Sequence, residues 1–181
     1  MRTLLMLVLG LGVFTPTQDD LAFDPWSAWS SFGVDSTVVM QMESGGMKVT
    51  TTTTLVAKTD DEITLKVETK AEGMDAMASE QKVKKPEKGD ADAKCPLCDK
   101  PAKEHKDMGK RSEETLKVGD KELKCTVIES PEKDCKGNAI PGKSKMWYCK
   151  DVPGRLVKME YEYKEMMMKS TQTLVSFDAK K

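Results

Sequence analysis

Four side chains in this sequence could share a metal ion: Cys95, Cys98, His105 and Cys135. Cys95-Pro96-Leu97-Cys98 is a C-x-x-C turn. Such a turn aims two thiolates at one tetrahedral ion, and zinc is the candidate cofactor that suits them. His105 follows on the same stretch, and Cys135 would complete a Cys₃His set. Two other readings of the turn stay open. Cys95 and Cys98 could form a local disulfide. They could also be redox-active, although such pairs sit at a helix N-terminus that lowers the first thiol's pKa. Here Pro101 would disrupt that helix.

The chain has five cysteines, so this metal set leaves Cys125 and Cys149. If the hairpin between their strands turns on Gly137, opposed residues sum to 274, and Cys125 faces Cys149. Directly opposed residues of an antiparallel pair lie close enough to bridge. The closed loop would contribute about 3.5 kcal/mol in the chain-entropy picture.

Other chemistry is hard to find. With a single His, a hydrolytic triad would have to use His105, and no nucleophile elbow accompanies it. Gly45-Gly46 and Gly142-Lys143-Ser144 lack the frame of a phosphate loop. The sequence reads as non-enzymatic. Its 29 basic and 30 acidic residues nearly cancel, and no basic tract marks a nucleic-acid partner.

The elements that must position these residues read mainly as strands. Residues 1–18 have the pattern of a secretory leader, with Arg2 before an apolar run from Leu4 to Phe14 and cleavage near Thr17 or Gln18. That run is too short for a bilayer core of ~30 Å, and no later stretch is apolar enough to span. The mature chain, 19–181, is expected as one secreted or periplasmic domain without a transmembrane span. Asp24-Pro25 reads as N-cap and first helical residue, and Trp26, Trp29 and Phe32 as one stripe of a short helix within Leu21 to Phe32.

Period-2 alternation then marks strands over Val34–Glu43, Met47–Lys58, Glu62–Ala71, Met77–Val83, Arg111–Val118, Lys121–Glu129, Lys145–Lys150, Arg155–Tyr163 and Glu165–Asp178. Gly45-Gly46 and Val152-Pro153-Gly154 supply turns between them. Residues 84–110 are polar and aperiodic, and read as an inserted loop. The expected fold is therefore all-β, with a minor α+β character. It is a single antiparallel curved sheet or half-barrel meander of about nine strands, with one short N-terminal helix.

Met146-Trp147-Tyr148, Asp151-Val152-Pro153-Gly154 and the long strand from Arg155 to Tyr163 resemble periplasmic lipoprotein-carrier half-barrels of the LolA/LolB kind, and related uncharacterised exported bacterial proteins. The resemblance implies a curved sheet whose apolar face, covered by a helix, holds acyl chains. A lipid, lipoprotein or peptide partner would follow. Met47, Val49, Leu55, Ile63, Leu65, Val67, Val157, Met159 and Tyr161 are the candidate lining residues. The thirteen methionines suit such a face, because thioether side chains adapt to irregular contacts. The leading expectation is an exported binding protein for an apolar ligand or a lipidated or peptide partner. The alternatives are an exported zinc module built on the C-P-L-C loop, or an envelope structural or interaction protein with no small ligand.

Overall fold

The computed structural model describes residues 24–86, 109–134, 136–163 and 168–181. The leader-like residues, most of the stretch read as an inserted loop and all four candidate metal residues, Cys95, Cys98, His105 and Cys135, lie outside them.

One short helix opens the described chain, α1 (Pro25–Trp29). Asp24 caps it, its carboxylate accepting from the Trp26 and Ser27 amides at 3.0 Å each. Five residues are too few to persist as a helix alone. Tertiary contacts hold this one. Ala28 and Trp29 are buried, the Gly154 amide donates to the Ala28 carbonyl at 3.0 Å, and Arg155 Nη2 donates to the Ser27 carbonyl at 3.0 Å.

Nine strands follow: β1 (Thr37–Ser44), β2 (Met47–Lys58), β3 (Glu62–Ala71), β4 (Met77–Lys84), β5 (Lys110–Val118), β6 (Lys121–Glu129), β7 (Gly142–Tyr148), β8 (Leu156–Tyr163) and β9 (Met168–Asp178). All pairings are antiparallel, and they form one open sheet in the order β4-β3-β2-β1-β9-β8-β7-β6-β5. The all-β expectation holds.

The strands run as a meander with one interruption, between β4 and β5. Two meanders, β1–β4 and β5–β9, are joined where β1 pairs β9, so β4 and β5 end up on opposite edges. The first and last strands meet because each has its alternating apolar set to bury: Met40 opposes Leu174 and Val38 opposes Phe177. Local periodicity cannot report a pairing so distant in sequence.

The sheet also curls. β6 and β9 are three positions apart, which in a flat sheet means about 14 Å. Yet Lys121 Nζ lies 4.1 Å from the Phe177 ring centroid.

The core forms where the sheet meets α1. Leu55, Ile63, Leu65, Val127, Val152 and Val157 are each no more than 4% exposed, and Trp29, Trp147 and Leu174 join them. The loop after β7 closes this end. Gly154 takes φ +74°, which only glycine adopts without cost, and its missing side chain leaves room for Trp29, whose ring atoms would lie 3.1–3.2 Å from an added Cβ. Gly154→Ala should therefore lower stability by about 2 kcal/mol in urea unfolding. An unchanged midpoint would contradict this packing.

Three bulges break the alternation, at Leu55/Ala57, Val39/Met40 and Trp147/Tyr148. The first pairs Leu55 with Leu65 but Ala57 with Thr64, and so turns Ala57 away from the core face, where it is exposed.

Candidate functional site

Cross-strand register gathers the face that could hold a partner. One row runs Ile128, Met146, Met159, Gln172, Met42, Val49 and Ala71, each opposed to the next across seven strands. All seven are half-buried. A second row lies two residues nearer the hairpin ends: Ser144, Tyr161, Ser170, Ser44 and Met47. A third, on the helix side, is Leu174, Met40, Thr51, Thr69 and Met77. On β2 alternation makes the face continuous with the core, since Leu55, Thr53, Thr51, Val49 and Met47 stand on one side; on β6 and β7 the row residues Ile128 and Met146 alternate with the buried Val127 and Trp147.

The expected lining residues divide along this face. Leu55, Ile63, Leu65 and Val157 belong to the packed core. Such side chains are closed to a ligand in this conformation. Val49, Val67, Met159 and Tyr161 are half-buried on the uncovered part. Met47 is 69% exposed, at a hairpin tip. Sequence reasoning missed Met42, Met146 and Gln172, although Met42 stood in the alternating set of β1. Met146 became visible as a neighbour of Met159 only through register.

Chemically the face is mixed. Thioether, valine and tyrosine surfaces alternate with the hydroxyls of Thr51, Thr53, Thr69, Ser44 and Ser170 and with the Gln172 amide. Two open depressions, of about 260 and 360 Å³, lie near the hairpin ends. Lys169 and Thr171 line both, with Glu43 and Lys48 in the first and Lys145 and Glu160 in the second. These charged side chains alternate with the row of Met42, Gln172 and Met159, so they stand on the other face of the sheet.

A separate cluster surrounds Trp147. Its indole N–H donates to Glu114 Oε2 at 2.8 Å. Lys145 Nζ donates to Glu114 Oε1 at 2.8 Å and sits 4.9 Å from the ring centroid, with Lys158 Nζ at 4.7 Å. The hydrogen bonds from Lys145 and Trp147 hold the Glu114 carboxyl below its ordinary range. A lowered carboxyl stabilises the fold above its unfolded pKa, and that contribution disappears as pH falls through the folded one. Glu114→Gln should therefore flatten the loss of stability on acidification between about pH 5 and pH 2. Urea midpoints across that range test this, and an acid slope equal to the parent's would refute it. The cluster anchors Trp147, which is 3% exposed, and offers no catalytic geometry.

The thiols Cys125 and Cys149 are free and buried. The expected register holds: Thr126 opposes Tyr148, Val127 opposes Trp147 and Glu129 opposes Lys145, so the next position places Cys125 across from Cys149. Burial pushes the Cys125 thiol up to about 11, with Cys149 adding to the shift, and burial raises Cys149 too. Among the described residues no group of three or more metal-ligating side chains converges. No helix among them is long and apolar enough to cross a membrane.

No protein-family model and no curated protein matches the chain. Solved structures do share its fold. A protein of YmcC-like fold from Bacteroides fragilis, described as exported, aligns with TM-score 0.50 and 8% identity over 81% of this chain and 97% of its own. A chain of the Pseudomonas aeruginosa MucA/MucB complex aligns with TM-score 0.54 and 8% identity over 87% of this chain and 56% of its own. A structure of MucB in complex with MucA(peri) gives TM-score 0.50 and 8% identity over 86% and 54%. This chain thus spans little more than half of those two. At such identities the likeness concerns the fold.

Proposed function

We propose that this chain is an exported, non-enzymatic binding protein whose half-covered sheet face docks an extended segment of a partner protein. The observation that carries the reading is the row from Ile128 to Ala71, half-buried and interleaved with hydroxyl and amide groups. An extended peptide presents alternating side chains with polar backbone groups between them. Met42, Met146, Met159 and Val49 take the apolar side chains, and Thr51, Thr69, Ser170 and Gln172 answer the backbone. An acyl chain has no polar groups to satisfy and gains most from enclosure, which this uncovered sheet face, interrupted by hydroxyl and amide groups, does not supply. The leader-like residues 1–18 and the exported relative of like fold support a secreted or periplasmic location. The MucA/MucB complexes support a protein partner, since a protein of like fold forms one there.

Delipidated protein titrated with a fluorescent peptide of alternating leucine and serine tests the reading. Saturable binding is expected, with no saturable binding of a fluorescent fatty acid. Tight fatty-acid binding with none of the peptide would replace the partner segment by a lipid. Binding of neither would leave a structural envelope protein.

A further inference from the structure

We propose that Cys125 and Cys149 form a cross-strand disulfide that clasps β6 to β7, closed by exchange with a small disulfide oxidant such as oxidised glutathione. Backbone hydrogen bonding identifies the position. The Ser130 amide donates to the Ser144 carbonyl at 2.8 Å, and these residues oppose each other in the β6–β7 register. Hydrogen-bonded and non-hydrogen-bonded pairs alternate along an antiparallel ladder. Counting from Ser130/Ser144, the pair 125/149 is a non-hydrogen-bonded one. The Cys149 amide agrees, donating at 2.8 Å to the Arg155 carbonyl, on the side away from β6. Opposed residues at such positions have their Cα atoms about 4.5 Å apart, within the span a disulfide bridges. The side chains share a face with Val127 and Trp147, and both are buried, at 2% and 1% exposure.

Topology gives the clasp its consequence. β6 and β7 pair at four positions, fewer than any other neighbours in the sheet. That ladder is the attachment of the β5–β6 hairpin to the rest of the sheet. A covalent link at its end holds the hairpin where the backbone bonds are fewest.

The chemistry balances. One cysteine thiolate attacks the oxidant's S–S bond, forms a mixed disulfide and releases one glutathione thiol. The second thiolate attacks the protein sulfur of that mixed disulfide and releases the other glutathione thiol. Two protons and two electrons leave the protein thiols, and the oxidant's disulfide is reduced. Because burial keeps both thiols protonated, exchange runs while the hairpin is open or still folding.

The test refolds a Cys95→Ser/Cys98→Ser/Cys135→Ser chain in a glutathione redox buffer. The expected product is two hydrogens lighter than the reduced chain and yields one peptide pair linked through Cys125 and Cys149. Reduction should lower its thermal midpoint by about 10 °C and speed hydrogen exchange across the β5–β6 hairpin. Recovery of folded protein with two alkylatable thiols after unfolding would overturn the proposal. Two further measurements stand even if the triple variant folds poorly. In the full chain, mapping should place Cys125 with Cys149, and a different partner for either would refute the clasp. Cys125→Ala/Cys149→Ala should melt with the reduced protein, and a midpoint matching the oxidised one would refute its stabilising role.

Discussion

Trp29→Ala lowers the unfolding free energy by about 4 kcal/mol and the thermal midpoint by about 10 °C. Trp29 is 6% exposed, and its ring lies against the backbone of Gly154. Truncation leaves a cavity that neither partner can fill, because Gly154 has no side chain. The loss extends beyond the indole. α1 is too short to persist without its anchor, so the covers over Leu55, Ile63 and Leu65 loosen together. The variant should also bind far more of an apolar dye than the parent. Trp26, only half-buried, provides the control, and Trp26→Ala should cost about 1 kcal/mol. Equal losses from the two would mean that α1 does not cap the core as described.

Met42→Glu with Met159→Glu should weaken partner binding at least tenfold, or about 1.4 kcal/mol, while the fold survives. Both residues lie in the half-buried row, each opposed to Gln172 from either side. A carboxylate can reach water from a half-buried position, so the stability cost stays near 1 kcal/mol. Docking an apolar side chain against it would remove that water, and the desolvation cost falls on the complex. Lys66→Glu, opposed to Thr54 on the other face, should leave binding unchanged. If the Lys66 variant binds as poorly as the methionine pair, the face has been assigned to the wrong side.

Much of this was legible in the residues. β2, β3 and β6 begin and end where alternation and turn residues put them, because a two-residue Gly45-Gly46 turn, with φ of +56° and +81°, admits one register. The α1 cap was legible because Asp-Pro has one efficient use there. The facing of Cys125 and Cys149 agrees with the β6–β7 ladder, where Thr126 opposes Tyr148, but Gly137 is not the centre of the loop: Lys133 pairs with Ala139, so the register shifts between the loop and the ladder. β1 starts later than Val34 because Asp35 adopts φ +68°, a turn conformation that an alternating pattern does not announce.

The pairing of β1 with β9 was not legible, since alternation names a buried face but never the neighbour. The division of the lining residues was hidden for the same reason. Leu65 and Val67 carry the same pattern on β3, yet α1 covers one and leaves the other half-open. Bulges were hidden too, as each depends on twist that accumulates across the sheet. The candidate metal residues fall outside the described chain, so that expectation stands as the sequence left it.

The most direct test of the docking face places a photo-reactive phenylalanine at position 159, and in a second variant at position 66, and irradiates the protein in the cells that make it. Position 159 should yield an adduct carrying tryptic peptides of another polypeptide, and position 66 should yield none. An adduct of acyl mass at 159, or equal polypeptide adducts at both positions, would contradict the account.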